Sequence, residues 1–294
     1  MHILVAIDGS AASRGAVRFA SRLTQALAGW LTLLHVVSPS GDREEAEALL
    51  RSAQADAEES GTRGTARLEV GDPVEVIVTV RGEIGADMLV VGTHGRKGWT
   101  RVLLGSVAES LYKSAPWPVA VVRSFDPPSA GIGPLLAPTD FSEGATRAVE
   151  AAAFLARKLG VRLGLLHVLP EAVPPKGERG RAASRRAADE LRRDAETRLR
   201  ALVKTLVLDP QQVDVSLVTG VDAAEIAHFA KEIRAGCIVM GTRGLTGLPR
   251  VILGSVADQI LRQAPCPVLF VAPGIAPGGG WRRETLKTDE GVHG

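Results

Sequence analysis

Residues 92–106 read GTHGRKGWTRVLLGS, and residues 241–255 read GTRGLTGLPRVILGS. Each copy follows a short apolar run and precedes a segment with a helical pattern. Glycine lets the backbone pass close to a ligand. A glycine loop between a strand and a helix presents backbone N–H groups and the positive end of a helix dipole to an anion. The repeated stretch therefore predicts two phosphate-binding loops, with a purely structural turn as the alternative.

The duplication extends over nearly the whole chain. ILVAIDGS at 3–10 aligns with LLAPTDFS at 135–142, and LTLLHVV at 31–37 aligns with LGLLHVL at 163–169. The offset is 132 residues in this part and 149 from Gly71 onward, so the second copy carries a 17-residue insertion. A chain of 294 residues accommodates two domains of about 140 residues each. We expect domains at 1–124 and 135–273, a Pro/Gly linker at 125–134 and a disordered tail at 274–294.

The first copy alternates apolar strands with helical segments. Near-continuous apolar strands separated by helices predict an α/β fold with a parallel sheet covered on both faces. Right-handed crossovers and five strands fit a doubly wound sheet of order 3-2-1-4-5. Ligands bind such sheets at the carboxyl ends of the strands, where the winding reverses between the first and fourth strands. Asp8 ends the first strand and Gly92 ends the fourth, so both are expected at one crevice in each copy.

Two pairs of equivalent polar residues stand at strand ends: the aspartates end the first strand of each copy, and the histidines end the second. Asp8 and Asp140 suit a ribose hydroxyl or a metal held by phosphates, and capping of the next helix is the alternative. His35 and His167 have apolar neighbours and are expected to be packed, hydrogen-bonded core residues.

The repeated loops also carry basic and hydroxyl side chains. Arg101 and Arg250 are equivalent, and either neutralise a polyphosphate or belong to the solvated surface. Ser106 and Ser255 stand where a hydroxyl caps a helix, which is compatible with phosphate contact. No GK[ST] sequence follows, so neither loop is a Walker A motif, and neither reads GxGxxG.

The sequence offers no repeated catalytic set. His94 is a candidate general base, but its equivalent is Arg243, which does not deprotonate usefully. No Ser-His-Asp or Cys-His grouping recurs in both copies. We therefore expect no catalytic residues and no dedicated turnover.

Composition limits the classes of partner that the protein can bind and indicates its cellular compartment. A net charge of +2 and 4% aromatic residues argue against nucleic acid. The Arg-rich run between 179 and 200 carries acids at helical spacing and is expected to be a solvated face. Cys237 and Cys266 form neither a disulfide framework nor a metal set, and each is expected to begin a strand. With no signal peptide and no apolar run near 20 residues, the expectation is a cytoplasmic protein without a membrane partner.

The fifth strands, WPVAVV and CPVLFV, are apolar and lie at a predicted sheet edge. Apolar edges invite strand pairing. The simplest arrangement pairs these two strands within one chain, as an intramolecular pseudo-dimer, and a further homodimer is possible.

These motifs resemble the universal stress protein family in its tandem two-domain form. The resemblance rests on VAIDGS and APTDFS, on LLHVV and LLHVL, and on both glycine loops, and it covers 1–273. It implies a HUP-like α/β sandwich, similar to the adenine nucleotide alpha hydrolases, dimerisation through the fifth strand, and membership of the ATP-binding branch. It also implies that a set of site residues contacts the nucleoside, adenine and phosphates: Ala6, Asp8, Val36, Gly92, Gly95, Gly105, Ser106, Pro138, Asp140, Val168, Gly241, Gly244, Gly254 and Ser255.

The expected function is a stress-response module that binds ATP, with Mg²⁺ as the accompanying ion, and responds to nucleotide by altering the binding of an unknown protein partner. The alternatives are a slow ATP hydrolase or nucleotide transferase, and a scaffold that binds no nucleotide. Ala6 stands where the second copy has Pro138, which is a small departure from the family pattern at the first site.

Overall fold

The computed structural model describes residues 1–93, 105–123, 131–171, 178–242 and 255–271. Within them the chain forms eight α-helices, one short 3₁₀ helix and ten strands that join in a single sheet. The first half contains β1 (His2–Ile7), α1 (Ala11–Ala26), β2 (Trp30–Val37), α2 (Arg43–Glu59), β3 (Gly64–Val70), α3 (Pro73–Ile84), β4 (Met88–Gly92), α4 (Ser106–Ser114) and β5 (Val119–Val122). The second half contains β6 (Leu135–Pro138), α5 (Glu143–Leu159), β7 (Leu163–Leu169), α6 (Glu178–Thr205), the 3₁₀ helix Pro210–Gln212, β8 (Val213–Thr219), α7 (Asp222–Glu232), β9 (Cys237–Gly241), α8 (Ser255–Gln263) and β10 (Val268–Val271).

Both faces of the sheet are buried, as the continuous apolar strands predict. In β1, Ile3, Val5 and Ile7 belong to one core cluster and Leu4 to the other, because successive side chains of a strand point to opposite faces. The first cluster contains residues of α1, α2, α5 and α6, and the second contains residues of α3, α4, α7 and α8. Each cluster contains residues of both halves, so the two halves share their cores.

The strand order is β3-β2-β1-β4-β5-β10-β9-β6-β7-β8. Each half has the predicted order 3-2-1-4-5, with its own strands parallel, and the doubly wound fold class is confirmed. β3, which the predicted order 3-2-1-4-5 places last on one side, lies at one end of the sheet.

The two five-stranded sheets meet at their fifth strands. β5 pairs with β10 in antiparallel register, with Ala120 opposite Leu269, so the pairing expected from the sequence is present. Because the strands of one half run antiparallel to those of the other, the carboxyl ends of the two sets of strands point in opposite directions along the continuous sheet.

Three local expectations can be compared with the structure. Cys237 begins β9, but Cys266 lies two residues before β10, so its predicted place at the start of a strand is wrong. Both cysteines are buried. The part of α6 whose side chains are described is largely exposed, with ion pairs such as Arg198–Asp194 and Arg200–Glu196 one turn apart, as expected of a solvated face. No helix in the described part of the chain is long and apolar enough to cross a membrane.

Candidate functional site

The predicted crevice lies where β1 and β4 end side by side. The two strands are parallel neighbours, with Ala6 opposite Val91. Asp8 and Gly92 each follow one of these paired positions, so they lie at the same edge of the sheet. In the second half β6 and β9 are parallel neighbours in the same way, which brings the ends carrying Asp140 and Gly241 together. The sheet thus has two switch-point crevices, one at each edge.

Asp8 and Asp140 have the same local role in the two turns. Asp8 Oδ1 accepts a hydrogen bond from the backbone N–H of Ser10 at 3.0 Å, and Asp140 Oδ1 accepts one from Ser142 at 2.9 Å. The helix caps are the serines, since the Ser10 side chain accepts from Ser13 N–H. The alternative interpretation, in which the aspartates cap the helices directly, is therefore wrong. Each carboxylate is partly exposed and is held in a fixed turn beside the crevice.

Gly92 and Gly241 have a packing reason to be glycine. A Cβ placed on Gly92 would lie 2.8 Å from the backbone nitrogen of Ser13 in the first turn of α1. One placed on Gly241 would lie 2.8 Å from the carbonyl oxygen of Gly144 in the first turn of α5. Glycine here lets the strand end approach the neighbouring helix closely, so this contact accounts for these two glycines without a ligand.

The base of the first glycine loop is closed by a backbone hydrogen bond. The N–H of Gly105 donates to the carbonyl oxygen of Thr93 at 2.5 Å, which places the start of α4 beside the end of β4. Gly105 occupies the N-cap position of α4 and no side chain caps this helix. Ser106 is the first helical residue and is exposed, so its predicted capping role is wrong. The remaining loop predictions, Gly95, Arg101, Gly244, Arg250 and Gly254, together with His94 and Arg243, lie outside the described residues.

His35 and His167 are structural residues, as expected. His35 Nδ1 lies 2.7 Å from the carbonyl oxygen of Ile7, and His167 Nδ1 lies 2.7 Å from that of Thr139. Each histidine ties the end of its strand to the neighbouring strand just before the Asp turn. Both rings therefore position the turn that carries the carboxylate.

Three of the apolar residues expected near the nucleoside and adenine lie on one face of the sheet. Ala6 and Val36 are partly buried and pack against the cluster that contains α3 and α4, and Val168 packs against the same cluster in the second half. Pro138 is buried and pairs with Leu166. The strand ends thus present a partly exposed apolar surface, which suits the flat face of a base.

A further carboxylate, absent from the sequence prediction, lies near the second crevice. Asp222 begins α7, and burial is the main cause that raises the pKa of its carboxyl group. The charge of His167 lowers this pKa and that of Asp140 raises it, so Asp222 lies within electrostatic reach of both. Its equivalent in the first half is Pro73. In the sequence, the sign that could have identified Asp222 was an aspartate at a position where the first half has a proline.

The two Asp turns also differ in size. Gly9 has a φ of 81°, and its equivalent Phe141 keeps a left-handed backbone with a φ of 64°. The Phe141 ring centre is 4.5 Å from that of His167, and the guanidinium carbon of Arg198 lies 4.2 Å from the Phe141 ring centre. The second turn is therefore covered by a stack that the first half does not repeat at Gly9.

The described residues contain no group of three or more His, Cys, Asp or Glu side chains that could hold a metal ion. Within that part of the chain, a cation at either crevice would have at most a carboxylate or two, and phosphate oxygens would have to supply other ligands.

Two doubly wound α/β units in tandem, each with a carboxylate and a glycine at its switch point, define the class of protein. The family model described as the universal stress protein family matches residues 1–123 and 131–272. The chain therefore belongs to the universal stress protein family.

Individual relatives support this assignment. A universal stress protein of Mycolicibacterium smegmatis is 29% identical over 296 residues, covering 92% of this chain and 97% of the relative. Universal stress protein G of Escherichia coli O157:H7 is 35% identical over 125 residues, covering 42% of this chain and 87% of the relative. The crystal structure of a universal stress protein from Archaeoglobus fulgidus superimposes with a TM-score of 0.67 at 24% identity, covering 93% of this chain and 98% of that one, which shows a shared fold.

Proposed function

We propose that this universal stress protein binds an adenine nucleotide, ATP with Mg²⁺, at each of its two crevices. The observation that carries the proposal is the repeated convergence of a strand-end carboxylate and a strand-to-helix glycine junction at a switch point. Such junctions in parallel sheets are typical sites for nucleotides.

Each part of the proposed site has a chemical role. Asp8 and Asp140 would accept hydrogen bonds from ribose hydroxyls, and Ala6, Val36, Pro138 and Val168 would flank the nucleoside. The first turn of α4 offers backbone N–H groups, with no side chain capping them, to the phosphates of the first site. We propose the same for α8 and Ser255. The proposed phosphate contacts also include residues predicted from the sequence alone: Arg101, Arg250, Gly95, Gly244 and Gly254.

The proposed output is regulation rather than turnover. Nucleotide would alter the binding of a protein partner, in a cytoplasmic stress-response protein with domains at 1–124 and 135–273. There are two alternatives. A slow ATP hydrolase or transferase would turn ATP over, and a nucleotide-free scaffold would show no heat of binding with ATP.

Calorimetry with ATP and Mg²⁺ on the full chain tests binding. Variants at Gly92 are unsuitable, because a side chain there would disturb the packing of α1. Asp8→Ala combined with Asp140→Ala is expected to weaken ATP binding about tenfold or more, since hydrogen bonds to charged groups contribute about 1.5–3 kcal/mol each. Asp209→Ala is the matched control: Asp209 Oδ1 accepts from Gln211 N–H at 2.9 Å in a similar turn, but at the amino end of β8. Equal affinity in all three proteins would refute the assigned role of the aspartates.

Native mass spectrometry of the purified chain would give the number of bound nucleotides and the number of chains per assembly. Two nucleotides per chain are expected, and none after incubation with millimolar ATP would support the scaffold. Incubation with Mg-ATP, followed by measurement of ADP and AMP, separates binding from catalysis. Turnover near ~1 per second, an ordinary enzyme rate, would favour the enzyme alternative.

A further inference from the structure

A cavity of about 380 Å³ lies between α1 and α2 of the first half. Its lining includes Ile7 and Val17, which belong to the core cluster on the α1 and α2 face of the sheet. Ala6 and Val36, proposed above to flank the nucleoside, pack against the cluster on the opposite face. The cavity therefore lies on the opposite face of the sheet from these apolar residues, and it adjoins the Asp turn at Gly9. A ligand bound in it would be a second ligand beside the proposed nucleotide.

The internal repeat allows the same region of the second half to be compared residue by residue. The buried residues Ala46 and Leu50 of α2 correspond to the buried residues Ala195 and Leu199 of α6 at the offset of 149. This match in burial aligns the two helices. Ala53, which lines the cavity, then corresponds to Leu202.

The second half carries larger side chains at two of the lining positions. Gly9 corresponds to Phe141, whose ring contacts His167 and Arg198, and Ala53 corresponds to Leu202, which packs against the core. The first half thus retains, through a glycine and an alanine, space of the size that binds small molecules, for which pockets of about 300–1,000 Å³ are usual.

The charged groups of the cavity indicate what kind of molecule fits. Asp56, which is partly exposed, lines it. Glu45 adds a second carboxylate. The basic residue in the lining is Arg14, which is exposed and whose Nη1 donates to the carbonyl oxygen of Gly9 at 3.1 Å. Two carboxylates beside apolar side chains favour a ligand that carries a positive charge, because hydrogen bonds between charged groups are stronger than neutral ones.

We propose that this cavity is a second ligand site, which binds a small molecule with an apolar body and one ammonium or amidinium group. The apolar body lies against Val17 and Ala53, and the cationic group pairs with Asp56. At the equivalent positions the second half carries Phe141 and Leu202, and we expect it not to bind such a molecule.

The test uses hexylammonium as the probe, with hexan-1-ol and hexanoate as neutral and anionic matches, titrated into the full chain and followed by calorimetry and ligand-detected NMR. Hexylammonium is expected to bind about tenfold more tightly than hexan-1-ol, the usual advantage of a charge-assisted hydrogen bond. Asp56→Asn is expected to remove this preference. Gly9→Phe and Ala53→Leu, which copy the second half, are expected to abolish binding, whereas the control Leu202→Ile is expected to leave it unchanged.

The native fold of each variant is checked by circular dichroism and thermal melting, and Ala53→Leu decides the question if Gly9→Phe does not fold. Equal affinities for the three probes, retained binding in Ala53→Leu, or no binding of hexylammonium at about 10 millimolar, a concentration that covers weak pocket affinities, would each overturn the proposal.

Discussion

The ring of Tyr112 stacks on the ring of Phe270, with 5.3 Å between their centres and 25° between their planes. Tyr112 belongs to α4 of the first half and Phe270 to β10 of the second, so the stack joins the halves beside the β5–β10 pairing. The Tyr112 hydroxyl donates to Asp258 Oδ1 at 3.3 Å. Burial, and then the charges of Asp258 and Glu109, raise the pKa of Tyr112, which keeps the hydroxyl protonated as a donor.

The first prediction concerns this junction. Tyr112 is 1% exposed, so Tyr112→Ala removes a buried ring and should lower the free energy of unfolding by about 3–5 kcal/mol. Tyr112→Phe keeps the stack and loses one hydrogen bond, which should cost about 1 kcal/mol. Urea unfolding measures both. The ring stack would not be the main contribution if the phenylalanine variant were as unstable as the alanine variant.

The second prediction tests whether the glycine at the end of β4 is needed for packing in the absence of a ligand. Gly92→Ala should destabilise the chain by about 1–3 kcal/mol without any nucleotide, because the new Cβ meets backbone atoms of α1. Gly82 of α3 has nothing within 4 Å of the place a Cβ would take, so Gly82→Ala is the matched control and should stabilise by about 0.5–1 kcal/mol. Urea unfolding of the nucleotide-free protein distinguishes them, and a neutral Gly92→Ala would contradict the packing role.

The third prediction concerns the stack that covers the second Asp turn. A double-mutant cycle with Phe141→Ala and Arg198→Ala should show a coupling of about 0.5–1 kcal/mol in the free energy of unfolding, as expected for a partly exposed cation over a ring. Lys158 and Phe154, whose Nζ and ring centre are 5.9 Å apart, form the control pair and should couple more weakly. Additive effects for Phe141 and Arg198 would show that the stack adds no energy of its own.

The fourth prediction concerns the buried thiols. Burial raises the pKa of Cys266 to about 12 from 9.0 and raises that of Cys237 as well. At pH 8 the thiolate fraction of Cys266 is therefore about a thousandfold lower than that of an ordinary cysteine. A chromogenic disulfide reagent should react with the native chain only as fast as it unfolds, and at once with the chain in urea. Fast reaction of the native chain would contradict this burial.

The same shift has a consequence for stability at alkaline pH. Because the folded thiols have raised pKa values, their contribution to stability is fully present below the unfolded pKa of 9.0 and is lost as pH rises towards 12. The free energy of unfolding should fall between about pH 9 and pH 11, which lies between the two pKa limits, and Cys266→Ala should reduce the fall. An equal fall in the variant would assign it to other groups.

The fifth prediction rests on the proposed nucleotide site. Asp222 has a raised pKa and stands near Asp140, so its negative charge at neutral pH should oppose a bound phosphate. Asp222→Asn should bind ATP about two- to fivefold more tightly at the second site, as expected for a screened charge interaction. Met240 immediately precedes Gly241, so its ¹³C-labelled methyl group reports on this site.

Lowering the pH should reduce the difference in ATP affinity between the wild type and Asp222→Asn. As pH falls towards the raised pKa of Asp222, its carboxylate is protonated and loses its charge. The affinity ratio of variant to wild type, followed at Met240 as the pH is lowered from neutral, cancels the protonation of ATP itself. A ratio that does not change with pH would contradict the assignment.

Much of the site could be predicted because it follows from local patterns. Asp8 and Gly92 end strands whose order follows from the alternation of strands and helices, so their meeting at one edge was predictable. The contact of Gly241 with Gly144 was not, because it joins residues that approach only after α5 packs on β9. The misassigned cap at Ser106 differs by one position from the observed cap, since sequence patterns locate helix ends only approximately.

The sequence by itself determined that the chain is a tandem repeat, that each half winds a parallel sheet, and that carboxylates and glycines stand at the strand ends. These features follow from the periodicity of apolar residues and from the backbone freedom of glycine, which act within short segments. Only the tertiary structure decided that Phe141 lies under Arg198 and that the space beside Gly9 stays open. Those outcomes depend on which side chains of distant helices meet, and that is set by the packing of the whole core.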